Sequence, residues 1–143
     1  MRFPALSFSH GLINVIHSLD ALSQTNKLGL KRGYHKDLIL VDSAGDQFHV
    51  VGARKIRTLP FKLTFRDFLE FLGANPRLQV ELIFRPGSSR ITVEELKKLI
   101  LGSFKREKYY WEEMTDFEEF RNRIESATSV EQIFGAFKEF NKA

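Results

Sequence analysis

The pattern that limits the fold most is a threonine placed three residues before a carboxylate, which recurs after residue 60. The threonine oxygen can accept a hydrogen bond from a free backbone N–H in the first turn of a helix, and the carboxylate favours the positive helix end. Apolar residues at helical spacing follow each threonine. The sequence therefore predicts four helices, with starts at Thr64 and Asp67, Thr92 and Glu95, Thr115 and Glu118, and Thr128 and Glu131.

The middle of the chain has the pattern of β-structure. Residues 38–41 and 48–51 are rich in β-branched and aromatic residues, and they flank a short polar segment that contains Gly45. Such a segment tolerates the backbone angles of a tight turn, so a β-hairpin is predicted. We expect a bulge at Gly52 and Ala53, followed by an extended piece that reaches Leu59. Residues 78–84 alternate with period two and predict one more strand.

The remaining segments complete the predicted order of elements. Apolar residues at helical spacing predict an amphipathic helix over residues 7–24, and the glycines and cations of residues 27–36 predict a surface connection. Residues 93–114 form either one helix kinked at Gly102 or two helices. The predicted fold is a single α+β domain over residues 1–143. It has a small, mostly antiparallel sheet, made of the hairpin and one or two further strands, packed with about five helices, three of them C-terminal.

Composition excludes several functional classes. The chain has 143 residues and no cysteine, which excludes disulfide frameworks, cysteine-based zinc sites and thiol nucleophiles. Its N-terminus lacks the apolar stretch of a signal peptide, and no apolar run reaches the ~18 residues that a membrane span needs. We therefore expect a cytoplasmic protein with no membrane partner.

Charge is distributed unevenly along the chain. The net charge is +4, and residues 27–66 carry nine basic and three acidic side chains, whereas residues 104–143 carry seven basic and nine acidic ones. This asymmetry concerns partners rather than the fold. Five cations that continue the hairpin form a candidate basic surface for nucleic acid: Arg54, Lys55, Arg57, Lys62 and Arg66.

The sequence contains no recognisable catalytic, cofactor-binding or metal-binding motif. His35 lies two residues before Asp37, but no nucleophile elbow accompanies it, and the acids near residue 116 surround a predicted helix start, where the helix dipole alone favours them. The prediction is therefore a binding protein without catalytic residues, cofactor or metal. A hydrolase that uses His35 or the acidic cluster is the third hypothesis, after protein binding and nucleic-acid binding.

A second candidate surface combines aromatic and acidic residues. Neighbouring positions on a helix point ~100° apart, so three consecutive aromatic rings cannot all be buried on one face. Exposed aromatic rings beside acids suit a protein interface. In the alternative interpretation, the tryptophan belongs to the core and the tyrosines lie half-buried at its edge. The candidate partner-binding residues are Tyr109, Tyr110, Trp111, Glu112, Glu113, Asp116 and Glu119.

The central hairpin, residues 36–48 continuing through 50–55, resembles one found among small bacterial immunity proteins, and so does the closing helix from residue 129 to residue 134. These proteins accompany polymorphic toxins, including those of contact-dependent growth inhibition. The resemblance implies a cytoplasmic antitoxin that binds a cognate toxin domain, such as a nuclease, and blocks its active site or substrate access. Immunity proteins against nucleases are commonly acidic, whereas this chain has a pI near 9.4. Either the basic segment 27–66 or the acidic segment 112–119 would then face the toxin.

Overall fold

A computed structural model describes residues 1–59 and 76–140 of the chain. The strands are β1 (Ala5–Ser9), β2 (Leu12–Ile16), β3 (Gln24–Asn26), β4 (Leu38–Asp42), β5 (Asp46–Thr58), β6 (Arg77–Phe84) and β7 (Ser89–Arg90). The α-helices in these ranges are α1 (Lys27–Arg32), α2 (Val93–Arg106), α3 (Lys108–Glu112), α4 (Phe117–Ser126) and α5 (Val130–Phe140), and a 3-10 helix covers Leu19–Leu22. The predicted α+β class is confirmed. The strand pairs β1–β2, β1–β4, β3–β6, β5–β6 and β5–β7 are antiparallel.

Backbone contacts divide the chain into two compact units that alternate along the sequence. The first unit comprises Met1–His17, Ile39–Phe48 and Gly87–Ala143, and the second comprises Ser18–Leu38 and His49–Pro86. The prediction of one domain over the whole chain stays a prediction. Each unit is described below by itself.

The first unit begins with a hairpin where a helix was predicted. The prediction of a helix over residues 7–24 is wrong, because His10 and Gly11 both adopt positive φ, at 51° and 79°, and reverse the chain in two residues. Ile13 and Val15 then contact the core from one face of β2, whereas the helical spacing had grouped Val15 with Ile16. A Cβ atom at position 11 would lie 2.6 Å from the Cγ atom of Glu107, so this turn requires glycine on steric grounds as well.

The core of the first unit lies between this sheet and the C-terminal helices. Strands in this unit follow the order β2, β1, β4, β5, with β7 paired to the start of β5. Leu6 and Phe8 of β1 belong to one apolar cluster with residues of α2, α4 and α5, among them Leu96, Ile124 and Ile133, which are 0% exposed. Apolar burial on this scale is the main force that holds the unit together.

The helix starts of the first unit were predicted with mixed success. At α2 the capping box is confirmed: Thr92 Oγ1 accepts from the Glu95 N–H at 3.2 Å, and Glu95 Oε2 accepts from the Thr92 N–H at 2.9 Å. The helix then breaks at Glu107, not at Gly102, and α3 follows. Helices α4 and α5 exist, but their predicted caps are wrong. Asp116, at φ 62°, precedes α4 without a side-chain cap, and Ser129 Oγ rather than the Thr128 hydroxyl accepts from the α5 backbone.

The second unit contains β3, most of β5, β6 and α1. Strand β6 confirms the predicted strand, with Leu78 and Val80 buried. The predicted surface connection at residues 27–36 is wrong, because the Asn26 side chain accepts from the Gly29 N–H and starts α1, which Gly33 ends at φ 69°. Strand β5 reaches Thr58, and its register against β6 shifts at Val51 and at Ile56, so the first bulge lies one residue before the predicted position. The predicted helix that starts at Thr64 lies outside the described residues.

Candidate protein-binding surface

Helix α3 is held in place by the side chain of Trp111. Trp111 is 3% exposed, its ring centroid lies 4.8 Å from that of Phe104, and its Nε1–H donates to the Gly11 carbonyl at 3.1 Å. A buried tryptophan generally needs such an acceptor. Trp111, predicted as a candidate partner contact, is therefore mainly a core residue that fixes α3 against the β1–β2 turn.

The two tyrosines beside Trp111 differ in exposure. Tyr109 is 84% exposed, whereas Tyr110 is 49% exposed and packs edge-on against Trp111, with ring centroids 5.3 Å apart. This arrangement agrees with the expectation that three adjacent rings on a helix cannot all be buried. It leaves Tyr110 as the tyrosine that is both exposed and fixed in orientation.

Tyr110 forms one wall of an open pocket of about 280 Å³ in the first unit. Strand β2 and helix α5 also contribute to its lining. We call this the aromatic pocket. Its lining consists of Ile13, Asn14, Val15, Tyr110, Trp111, Met114, Phe137 and Phe140. A concave surface with a half-exposed tyrosine among buried aromatic rings is a candidate centre of a protein interface.

A second pocket, of about 160 Å³, lies between α4 and α5 and has carboxylates at its rim. We call it the acidic pocket. It is lined by Asp116, Glu119, Phe120, Arg123, Ala136, Glu139 and Phe140. Arg123 pairs with Glu119 at 3.2 Å and also with Glu139, so two carboxylates share one guanidinium group, and Asp116 is a third carboxylate of the lining. The rim therefore keeps a net negative charge although the whole chain is basic.

The two pockets share one residue. Phe140 lines both of them, and its ring stacks on Phe120 with centroids 4.2 Å apart and an angle of 17°. The aromatic pocket and the acidic pocket are therefore neighbours, with Phe140 between them. Two such neighbouring pockets complement a partner that presents an apolar side chain next to cations.

The remaining predicted acids lie beside this surface. Glu112 is exposed and pairs with Lys108 at 3.8 Å, and Glu113 is exposed. Neither lines a pocket described above. Sequence reasoning missed the contributions of β2 and of Met114, Phe137, Phe140 and Glu139. The one local signal for them was the apolar stripe of α5, which continues to Phe140 at the end of the helix.

The candidate basic surface belongs to the second unit. Arg54, Lys55 and Arg57 are exposed on β5, and Lys62 and Arg66 lie outside the described residues. The bulge at Ile56 places Arg54 and Arg57 on the same face of the strand, opposite Glu81 and Gln79. Arg54 forms an ion pair with Glu81, and Arg57 Nε donates to Gln79 Oε1 at 2.6 Å. Two of the three cations thus have partners within the unit.

His35, the residue of the hydrolase hypothesis, is buried in the second unit. Burial lowers the pKa of its imidazole below the usual 6.5, although a hydrogen bond with the Leu22 backbone opposes this shift. Within residues 1–59 and 76–140, His35 Nδ1 has no hydrogen-bond partner and His35 forms no ion pair with a carboxylate. The same ranges contain no group of three histidine, aspartate or glutamate side chains that could hold a metal ion.

Comparison with known proteins found no matching family model, no matching curated protein and no matching solved structure. None of the helices in the described part of the chain is long and apolar enough to cross a membrane.

Proposed function

We propose that this chain is a cytoplasmic immunity protein that neutralises a cognate toxin domain by binding it, without catalysing a reaction itself. The observation that supports this proposal is that the aromatic pocket and the acidic pocket adjoin at Phe140. A toxin that acts on nucleic acid carries a basic substrate-binding cleft, because it must bind phosphates. An apolar anchor beside carboxylates complements such a cleft and would block access of the substrate.

The charge of the surface resolves the conflict between a basic chain and a basic partner. Residues 27–66 carry an excess of six positive charges, more than the net +4 of the chain, whereas the proposed binding surface is built from β2 and the segment that contains α3, α4 and α5. Carboxylates at a rim mainly accelerate association and fix orientation, and a buried aromatic anchor contributes most of the affinity. We assign these two roles to the acidic rim and to Tyr110.

The test is co-expression with the toxin encoded by the adjacent reading frame, with cell survival and purified-complex affinity as the measurements. Two pairs of neighbouring residues provide matched variants. Tyr110→Ala should weaken binding by about tenfold or more, whereas Tyr109→Ala should change it by less than about threefold, because Tyr109 lies outside the pocket. Glu119→Lys should slow association, whereas Glu118→Lys, on the same helical turn, should not.

The results that would reject the proposal are equally specific. Wild-type protein that fails to protect cells from the toxin would remove the function. If the control variants at Tyr109 and Glu118 lose protection as fully as the variants at Tyr110 and Glu119, this surface is not the toxin-binding site. Each control lies on the same helix as the residue it is compared with and carries the same substitution.

A second candidate function is nucleic-acid binding by the second unit. It is favoured by the bulge at Ile56, which brings Arg54 and Arg57 to one face of β5. The pairing of Arg54 with Glu81 weakens this alternative. The test is the affinity for a labelled 20-nucleotide RNA or DNA at several salt concentrations. Joint substitution of Arg54, Lys55 and Arg57 by alanine should reduce the affinity and its salt dependence, and unchanged binding would eliminate this site.

A further inference from the structure

Strand β2 has an unpaired edge in the described part of the chain. Over residues 1–59 and 76–140 it pairs with β1 alone, in an unbroken antiparallel register from Leu12 opposite Ser9 to Ile16 opposite Ala5. A sheet edge of this kind can pair with a strand from another chain. Such pairing depends on which backbone N–H and C=O groups of β2 point outwards and on the side chains beside them.

The geometry of the turn determines which groups point outwards. A two-residue turn makes its flanking residues, here Ser9 and Leu12, a hydrogen-bonded pair, and bonded and non-bonded pairs then alternate along the hairpin. Asn14 therefore bonds to β1, and its carbonyl lies 3.5 Å from the Ser7 hydroxyl, in agreement with this assignment. The N–H and C=O groups of Ile13 and Val15 point away from β1. The free edge thus presents two donors and two acceptors.

Nothing in the sequence of β2 protects this edge. Proteins usually shield an exposed edge with lysine, proline, a bulge or a very short strand. Strand β2 has none of these over its five residues, Leu-Ile-Asn-Val-Ile. By comparison, the terminal strand β3 of the second unit has three residues and is followed directly by Lys27. An edge left open in this way is typical of a binding site for an extended segment.

The aromatic pocket lies along this edge. Ile13 and Val15, whose backbone groups point outwards, line it together with Tyr110 and Met114. The pocket measures about 280 Å³. A cavity of about 150 Å³ is known to accept benzene, so a phenylalanine or leucine side chain fits here. An added strand would place every second side chain on the pocket side.

We propose that β2 accepts a strand from its partner, an extended segment whose pocket-facing side chains, at every second position, are one apolar side chain with basic ones on either side of it. The apolar side chain enters the aromatic pocket, and the cations meet Asp116, Glu119 and Glu139 at the adjoining rim. A second copy of this chain is a poorer occupant, because a symmetric contact would place the same acidic rim opposite itself. The inference rests on the proposed function for the identity of the partner, but its chemistry is tested without the toxin.

The probe is a capped heptapeptide with a central phenylalanine, arginine two residues before and two residues after it, and threonine at the other positions, so that the phenylalanine and both arginines share one face. Amide hydrogen exchange of the full-length labelled protein is measured by NMR with and without saturating peptide. Exchange at Ile13 and Val15 should slow by about tenfold or more, because their N–H groups gain acceptors. Asn14 is the internal control, since its N–H is already bonded to β1. Peptide binding that leaves Ile13 and Val15 unchanged would mean contact with the acidic rim alone and would overturn the proposal.

A second measurement distinguishes backbone pairing from charge attraction. Two versions of the peptide carry N-methyl groups on alternate residues, one series at odd positions and the other at even positions. Since an added strand directs only alternate N–H groups towards β2, one series should lose about tenfold or more in affinity and the other should bind normally. Equal affinities for the two series would also overturn strand addition.

The variant Val15→Pro distinguishes strand addition at β2 from the proposed immunity function. It removes one outward-pointing N–H donor and no hydrogen bond to β1. If this variant folds, as its circular dichroism should show, and protects cells from the toxin as well as wild type does, strand addition is wrong and the immunity function stands. If instead the peptide protects Ile13 and Val15 while the wild-type protein gives no immunity, strand addition stands and the proposed function fails.

Discussion

Removing the indole nitrogen of Trp111 tests how α3 is anchored. In Trp111→Phe the Gly11 carbonyl loses the donor that now lies 3.1 Å away, and a buried group left without its partner costs about 1–3 kcal/mol. The smaller ring also leaves a cavity of roughly 40 Å³, which at about 24 cal/mol per Å³ adds ~1 kcal/mol. We expect the free energy of unfolding to fall by about 2–4 kcal/mol.

The assay is urea denaturation followed by circular dichroism at 222 nm, because the variant lacks the only tryptophan and fluorescence would not be comparable. Tyr109→Phe is the control: Tyr109 is 84% exposed, so its free energy of unfolding should change by less than ~0.5 kcal/mol. If Trp111→Phe is as stable as the wild type, the bond to Gly11 does not anchor α3, and the reasoning that builds the aromatic pocket on it is wrong.

Three further predictions concern stability. Asp42→Ala should destabilise the protein by about 2–4 kcal/mol in thermal or urea unfolding, because the buried carboxylate accepts from three backbone N–H groups, those of Arg2, Ala44 and Asp46. Thr92→Ala should cost about 1 kcal/mol through loss of the α2 cap, whereas Thr92→Ser should cost less. His35 has a lowered folded-state pKa, so its contribution to stability is present above the unfolded value of 6.5 and is lost as pH falls from 6.5 towards the folded pKa. His35→Gln should flatten the decline in stability between pH 7.5 and 5, and an unchanged slope would contradict the assigned shift.

Local signals predicted the parts of the fold that local energetics decide. The capping box of Thr92 and Glu95 is formed by residues within one helical turn. In β6, apolar and polar residues alternate because one face of the strand is buried. The hairpin of β1 and β2 was missed because its turn uses His10 at positive φ, which few non-glycine residues adopt. Helix α1 was missed because six residues are too few for an apolar period to be visible.

The candidate site was predicted in part for the same reason. The unequal exposure of Tyr109 and Tyr110 follows from the 100° step of a helix and needed no tertiary information. The other walls of the aromatic pocket come from residues 13–15 and 137–140, far away in sequence, and only the folded chain brings them to Tyr110. Likewise, the role of Arg123 in compensating Glu119 and Glu139 depends on how α4 and α5 pack.

The bond between Trp111 and Gly11 also sets a timetable for biosynthesis. The two residues are separated by 100 positions, and a ribosome that adds about 5–20 residues per second makes Trp111 roughly 5–20 s after Gly11. During this interval α4 and α5, which belong to the same apolar cluster as Phe8 of β1, have not yet been synthesised. An apolar strand face that waits for its partner helices makes a nascent chain prone to aggregation.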